Sequence, residues 1–213
     1  MEFIEELIQR YSESHTESET DLLKKLNRET HLKISQPRML SGHLQGRFLS
    51  FISKLVQPHF ILEIGTYTGY SALCLAEGLA NDGKLMTIDP NEETNVFAQL
   101  FFNQSAYAKK IELVQGQALQ LIPGIKNKID LVFIDADKHN YLNYYKAVVD
   151  KVRQGGLIIA DNVLWSGKVV NALDKMDVDT KKIHEFNEFV SQDDKVEHLL
   201  LPVRDGLMML RKK

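Results

Sequence analysis

Between Phe60 and Asp161 the chain alternates short apolar runs with stretches of helical periodicity, and this alternation leaves few architectures open. Strands are predicted at Phe60–Ile64, Lys84–Asp89, Ile111–Gln115, Ile129–Asp135 and Gly156–Asp161. The intervening segments read as helices: from the turn after Ile64 to about Leu79, Glu92–Tyr107, a short Ala118–Leu121, and Tyr141–Val152. Strands joined through helices are parallel neighbours with right-handed crossovers and helices on both faces. A helix over Thr180–Gln192 follows. The apolar runs Val196–Val203 and Gly206–Arg211 then flank Arg204-Asp205, a hairpin signal, so an antiparallel pair closes the sheet.

The region before Phe60 reads as helical. Phe3, Ile4, Leu7, Ile8 and Tyr11 recur at helical spacing, and a second helix over Thr20–Lys33 would turn Leu22, Leu23 and Leu26 inward. Pro37 interrupts the pattern. Ser41 is placed to cap a third helix, with Leu44, Phe48, Leu49, Ile52 and Leu55 as its inward face, ending before Pro58. A chain of 213 residues with 44% hydrophobic content suits one domain, here helices over 1–57 and an α/β core over 58–213.

A net charge of −3 supplies no global attraction to nucleic acid or anionic lipid. No apolar run approaches the roughly 20 residues that span a bilayer. The acidic opening Met-Glu-Phe-Ile-Glu-Glu lacks the layout of a signal peptide. The single cysteine, Cys74, lies among apolar neighbours as an inert buried thiol, and a reducing cytoplasm is the expected setting.

Two predicted strands end in oxygen ligands. Leu131-Val-Phe-Ile-Asp135-Ala-Asp137-Lys138 carries two carboxylates and an amine, and Gly156-Leu-Ile-Ile-Ala-Asp161-Asn162 a carboxylate and an amide. Ligands of open parallel sheets bind beyond the carboxyl ends of strands. If these strands are neighbours, Asp135, Asp161 and Asn162 converge into a hard-oxygen site for Mg²⁺, Ca²⁺ or Mn²⁺. The first strand runs into Gly65-Thr66-Tyr67-Thr68-Gly69, which lacks the glycine spacing of a dinucleotide turn. Glu63 before it would repel phosphates but suits a cation or an amino group. Asp89, about 20 residues on, can accept from ribose hydroxyls. A nucleoside with a cationic tail and no phosphate fits: S-adenosylmethionine.

These motifs resemble those of the cation-dependent O-methyltransferases of small molecules, the catechol and caffeoyl-coenzyme A group. The matching segments are Leu62–Ser71, Phe133–Lys138, Asp161–Gly167 and Leu201–Leu207, in family order, over nearly all of the chain from Ser35. The resemblance implies a Rossmann-like class I methyltransferase fold with a seven-stranded sheet and extra N-terminal helices. It implies cofactor contacts at Glu63, Gly65, Tyr67, Ser71, Asp89, Ala118 and Asp135. Met39-Leu40-Ser41-Gly42 looks like the family's entrance segment, where Met39 and Ser41 touch cofactor or substrate. Metal ligands map onto Asp135, Asp161 and Asn162, with Mg²⁺ the leading cation. Lys138 matches the catalytic lysine and Trp165 the substrate-facing loop. A homodimer is also implied. His43 departs from the acidic residue of plant-like members, which leaves the acceptor open.

The implied reaction is methyl transfer from the sulfonium to a hydroxyl of a vicinal-diol aromatic of catechol or caffeoyl type. The cation templates the two oxygens and lowers their pKa, and Lys138 takes the proton as general base. The alternative acceptor is a hydroxyuridine in tRNA. Scattered basic pairs such as Lys24-Lys25 and Lys109-Lys110, countered by acids, weigh against it. A nicotinamide oxidoreductase is disfavoured by the glycine spacing and by Glu63. Asp137 is expected beside the site, His139, His184 and His198 as surface or packing residues, and Tyr141, Tyr144 and Tyr145 as core.

Overall fold

The structure is a computed structural model that describes residues 4–213. Phe3, placed above in the first helix, lies outside the described residues. Seven strands form one sheet: β1 (Phe60–Ile64), β2 (Lys84–Asp89), β3 (Ile111–Gln115), β4 (Ile129–Ile134), β5 (Val152–Asp161), β6 (Val196–Leu201) and β7 (Leu207–Lys212). Their order is β3-β2-β1-β4-β5-β7-β6. β1 to β5 are mutually parallel, and β7 is antiparallel to both of its neighbours, β5 and β6. The order reverses between β1 and β4, so the ligand crevice is expected beyond their carboxyl ends. Registers pair Ile64 with Ile134 and Ile134 with Ala160. The next residues, Gly65, Asp135 and Asp161, therefore emerge side by side.

The helices are α1 (Glu6–Ser14), α2 (Asp21–Lys33), α3 (Gly42–Val56), α4 (Tyr70–Ala76), α5 (Glu92–Gln104), α6 (Ala118–Leu121), α7 (Tyr141–Val148) and α8 (Val178–Ser191). Their starts follow from capping chemistry: the Thr20, Asn91 and Asp177 side chains accept from the amides of Leu23, Thr94 and Thr180. One sheet face is covered by α6, α7 and α8, where Tyr141, Tyr145, Ile183 and Phe186 are fully buried. The other is covered by α2 to α5, around Leu26, Leu49, Phe102 and Phe133. β5 begins at Val152 rather than Gly156. Val152 pairs with Ile129, and the regular register resumes after an irregularity at Leu131–Leu157, so the glycines mark a break within the strand rather than its start.

The third helix differs from expectation in two ways. Ser41 stands at the N-cap but is itself helical in φ and ψ, and its side chain makes no capping bond. The buried face of α3 is Gln45, Gly46, Arg47, Leu49, Ser50 and Ser53, whereas Leu44, Phe48 and Ile52 are only half-buried and Leu55 is 67% exposed. The reason is close packing against α4, all seven of whose residues are buried. A Cβ on Gly46 would stand 2.5 Å from the Tyr70 ring, and Ser53 Oγ donates to the Leu75 carbonyl at 2.6 Å. Small and polar side chains permit that approach, and Arg47 is matched there by Glu77 at 2.7 Å. Of the expected apolar stripe, Leu49 is buried, Phe48 and Ile52 pack partly against the core, and Leu55 faces outward. In α1 no residue is buried, and Leu7, Ile8 and Tyr11 are exposed.

Candidate active site

A cavity of about 1510 Å³ opens at the carboxyl ends of β1, β2, β4 and β5. Of the residues singled out in the sequence, Met39, Ser41, Gly65, Tyr67, Asp89, Ala118, Asp135, Lys138, Asp161, Asn162 and Trp165 line it. Glu63 and Ser71 do not.

The β1–β2 side is organised by backbone. Gly65 has φ +99°, and a Cβ there would lie 2.0 Å from the Asp135 carbonyl oxygen, so only glycine lets β1 and β4 come this close. Asp89 Oδ2 accepts the amides of Thr66 and Tyr67, both at 3.0 Å, and Oδ1 accepts that of Asn91 at 2.9 Å. Oδ2 is filled by its two amides, and Oδ1 keeps acceptor capacity for a ligand hydroxyl. Tyr67 Oη donates to the carbonyls of Ser35 and Gln36, which pins the start of the Met39–Gly42 segment over the cavity. Glu63 is fully buried in β1. The Thr87 hydroxyl donates to its Oε2 at 2.5 Å and bonds the Thr66 hydroxyl, so Glu63 is tied to the glycine turn through two threonines that the sequence reading missed. Burial pushes the Glu63 carboxyl up to about 8, against the pull of the Ser71 and Thr87 hydroxyls, and the charges of Asp135 and Asp89 add to the rise. Its Oε1 has no partner among the described residues. Glu63 lies behind the cavity wall, so a cationic ligand such as S-adenosylmethionine would act on it through its charge rather than by contact.

The β4–β5 side is organised by side chains. Lys138 Nζ donates to Asp135 Oδ1 at 3.3 Å, Asn162 Oδ1 at 2.9 Å and Tyr141 Oη at 2.5 Å. It also lies 5.7 Å from the centre of the Trp165 ring. Asp161 is 3% exposed. Its Oδ1 accepts the Asn162 amide at 2.7 Å and its Oδ2 the Gln45 side-chain amide at 2.5 Å. Burial pushes the Asp161 carboxyl up to about 6 and the Asp135 charge pushes further, while Gln45, Lys138 and Arg204 oppose the rise. Asn162 holds left-handed backbone, φ +59°.

No three His, Cys, Asp or Glu side chains form a metal-binding group among the described residues. The third oxygen here comes from Asn162. The donor chemistry nonetheless fits a hard divalent cation: a cationic ammonium already bridges Asp135 and Asn162, and the two carboxylates repel one another.

Asp137 lines the cavity and accepts from the Tyr144 hydroxyl and from Asn140 Nδ2. His43 Nε2 is bound to the Glu17 carbonyl at 2.7 Å, and His139 Nδ1 pairs with Asp179 at 2.9 Å. Tyr141, Tyr144 and Tyr145 are core residues as expected, but Tyr141 also sends its hydroxyl into the site, where it donates to the Asp161 carbonyl at 2.9 Å. Its place three residues after Lys138 was the available signal. Cys74 is buried, and burial pushes its thiol up to about 12. No described helix is long and apolar enough to cross a membrane.

Known proteins resemble this chain along nearly its whole length. The sequence pattern of the O-methyltransferase family matches residues 12–213. Caffeoyl-CoA O-methyltransferase 5 of Nicotiana tabacum is 36% identical over 208 residues, 91% of this chain and 85% of that protein. Caffeoyl-CoA O-methyltransferase 2 of Eucalyptus globulus is 38% identical over 182 residues, 79% of this chain and 72% of that one. Among solved structures, the SAH-bound methyltransferase of Podospora anserina superposes with a TM-score of 0.89 at 26% identity, covering 100% of this chain and 98% of that one. The SAM-bound O-methyltransferase TomG of Streptomyces achromogenes, involved in tomaymycin synthesis, gives 0.90 at 26% identity, covering 97% and 96%.

Proposed function

This chain belongs to the O-methyltransferase family and uses S-adenosylmethionine, and from that premise we propose that it methylates one hydroxyl of a vicinal-diol aromatic of catechol or caffeoyl type. The observation that carries the reading is the Lys138 ammonium held between oxygens of Asp135 and Asn162, at the ends of adjacent strands, on the wall of the cavity that also holds Asp89 and Gly65. Asp89 receives the ribose hydroxyls, Gly65 admits the donor close to backbone, and Ala118, Tyr67, Met39 and Ser41 wall it in. Glu63 and Ser71 act from behind this wall by holding the turn.

A divalent cation, Mg²⁺ first and Ca²⁺ or Mn²⁺ next, would be held by Asp135, Asp161 and Asn162, where it would draw two vicinal oxygens together and lower their pKa. As an ammonium Lys138 has all three of its donors engaged. Nζ would be free to meet the acceptor hydroxyl once a divalent cation competed for the oxygens of Asp135 and Asn162. Neutral Lys138 then removes the phenol proton. The oxygen forms the new bond to the methyl carbon, and the C–S electron pair returns to sulfur, leaving a neutral thioether. Tyr141 steers Nζ, and Trp165 walls the acceptor ring. Holding donor and acceptor in line supplies much of the remaining acceleration.

The reading extends to a homodimer in a reducing cytoplasm. The exposed stripe Phe51 and Leu55 on α3, with Leu7, Ile8 and Tyr11 on α1, supports the first, and the lone buried Cys74 the second. Sedimentation velocity showing a monomer at micromolar concentration would remove the dimer.

The test of the chemistry is labelled methyl transfer to catechols and caffeoyl esters with and without Mg²⁺, for the wild type, Asp161→Ala and Lys138→Ala. Both variants should lose turnover, and Asp161→Ala should lose its response to Mg²⁺. Wild-type turnover in both would refute the cation-and-lysine account. One observation favours tRNA as acceptor instead: Lys24, Lys25, Arg28 and Lys33 line a surface groove on α2, and Lys33 also lines the cavity. Tight, salt-sensitive tRNA binding, with methyl transfer to tRNA and none to catechols, would select that reading.

A further inference from the structure

The β6–β7 turn contains a residue that turn chemistry alone does not explain. Arg204 has φ +50°, left-handed backbone that side chains other than Gly, Asn and Asp rarely adopt. Such strain persists only where surrounding contacts hold it. Here the guanidinium reaches away from the turn. Nη1 donates to Gln45 Oε1 at 3.0 Å, and Nη2 donates to the Leu40 carbonyl at 3.3 Å. Gln45 is 1% exposed, and its Nε2 donates to Asp161 Oδ2 at 2.5 Å. A guanidinium has donors and no acceptor. Its bond to Gln45 therefore decides which end of that amide faces Asp161: the oxygen is taken, so the NH₂ group meets the carboxylate. With Asn162 N–H on Oδ1, both Asp161 oxygens are aimed, and the plane of the carboxylate is fixed.

We propose that Arg204 and Gln45 are positioning residues for methyl transfer: Arg204 orients the Gln45 amide, and Gln45 fixes the Asp161 carboxylate for cation binding. The inference rests on the reading of Asp161 as a cation ligand. The same guanidinium holds Leu40, so the relay also registers the entrance segment to the cation end of the crevice. Bonds that orient a ligating carboxylate set metal affinity, and losing one weakens it about 10- to 100-fold.

Arg204→Gly separates positioning from simple structural support. Glycine adopts this backbone without strain, so the turn survives while the guanidinium is lost. Gln45→Leu removes the middle of the relay. Free Mn²⁺ measured by electron paramagnetic resonance, on the full chain without methyl donor, gives cation affinity independently of turnover. Both variants should bind Mn²⁺ about 10-fold or more weakly, with the thermal midpoint of Arg204→Gly unchanged or raised. In turnover, kcat should fall while KM for S-adenosylmethionine holds. Wild-type Mn²⁺ affinity in both variants overturns the relay, and loss in Gln45→Leu alone overturns the part given to Arg204. Should the wild type itself take up no Mn²⁺ while still methylating, the cation reading fails and the relay with it.

Discussion

The two ends of the crevice are built from different materials. At the β1–β2 end, Asp89 is held by three backbone amides from segments adjacent to it in the fold, and Gly65 sets the approach of β4. At the β4–β5 end, Asp135, Lys138, Tyr141, Asp161 and Asn162 hold one another, and Gln45 and Arg204 complete the set from far along the chain. Backbone amides are removed by no substitution except proline and cannot change charge. Side-chain carboxylates can do both, and here two of them sit close enough that burial and mutual repulsion push Asp161 up to about 6. The first end is suited to a ligand of fixed shape. The second concentrates buried, mutually repelling carboxylates beside an ammonium, an arrangement whose charge a bound ligand can change.

The largest effect should fall on the side-chain end. Lys138→Ala should lower kcat about 10²- to 10⁴-fold, the usual span for removing a general base. Unfolding free energy should fall by only about 1 kcal/mol, because Asp135 and Asn162 line the cavity, where water can replace the lost ammonium. Steady-state kinetics with urea unfolding on the same protein checks both. The backbone end should respond the other way. Gly65→Ala places a Cβ against the Asp135 carbonyl in a backbone conformation hostile to alanine. It should cost about 3 kcal/mol of stability, since neither strand can retreat without breaking the sheet. Equal losses of stability in both variants would break the comparison.

Much of the backbone end was legible in the sequence. Five apolar runs give the parallel strands, the Gly65–Gly69 turn follows the first, and Asp89 ends the second; all three are local patterns. The strand ends carrying Asp135, Asp161 and Asn162 were equally visible. Gln45 and Arg204 were not. Gln45 stands at the inward spacing of Leu49 and Ile52, but an amide side chain carries no apolar signal, and its burial makes sense only once α4 is seen to demand small and polar neighbours. Arg204 sits in a hairpin turn, and its partners are 159 and 164 residues away. The family resemblance implies Glu63 as a cofactor contact. The strand buries it completely, and its influence passes through Thr87 and Thr66.

That burial gives a pH dependence that comes mainly from the backbone end. The folded protein holds the Glu63 proton up to about 8, the unfolded chain only to 4.5. Between these limits the folded state binds more protons, so its stability falls as pH rises. Over pH 5 to 8 the ligand-free protein should lose roughly 3 kcal/mol from this group. Asp161 adds a smaller loss of the same sign, which runs through its folded value of about 6 and fades roughly one pH unit above it. Glu63→Gln should flatten the slope above pH 6, as read from urea midpoints across the range. Saturating S-adenosylmethionine should flatten it in the wild type, because a cationic ligand favours the ionised carboxylate.

The smallest pair sharpens the contrast most, because it deletes one hydroxyl from each end. Thr87→Val keeps shape but leaves Glu63 Oε2 without its donor and releases the Thr66 hydroxyl. An unpaired buried acceptor costs about 1–3 kcal/mol, so stability should fall by that amount and donor affinity with it, as the turn loosens. Tyr141→Phe removes the hydroxyl that steers Lys138 Nζ and bonds the Asp161 carbonyl. Stability should fall by about 1 kcal/mol, the net worth of one hydrogen bond, while kcat falls about 10-fold through misplacement of the amine. Donor affinity, measured by calorimetry with S-adenosylhomocysteine, should be unchanged by Tyr141→Phe and weakened by Thr87→Val. If the two variants weakened it alike, the ends would share one scaffold, and the division between a backbone-built donor site and a side-chain-built reaction site would fail.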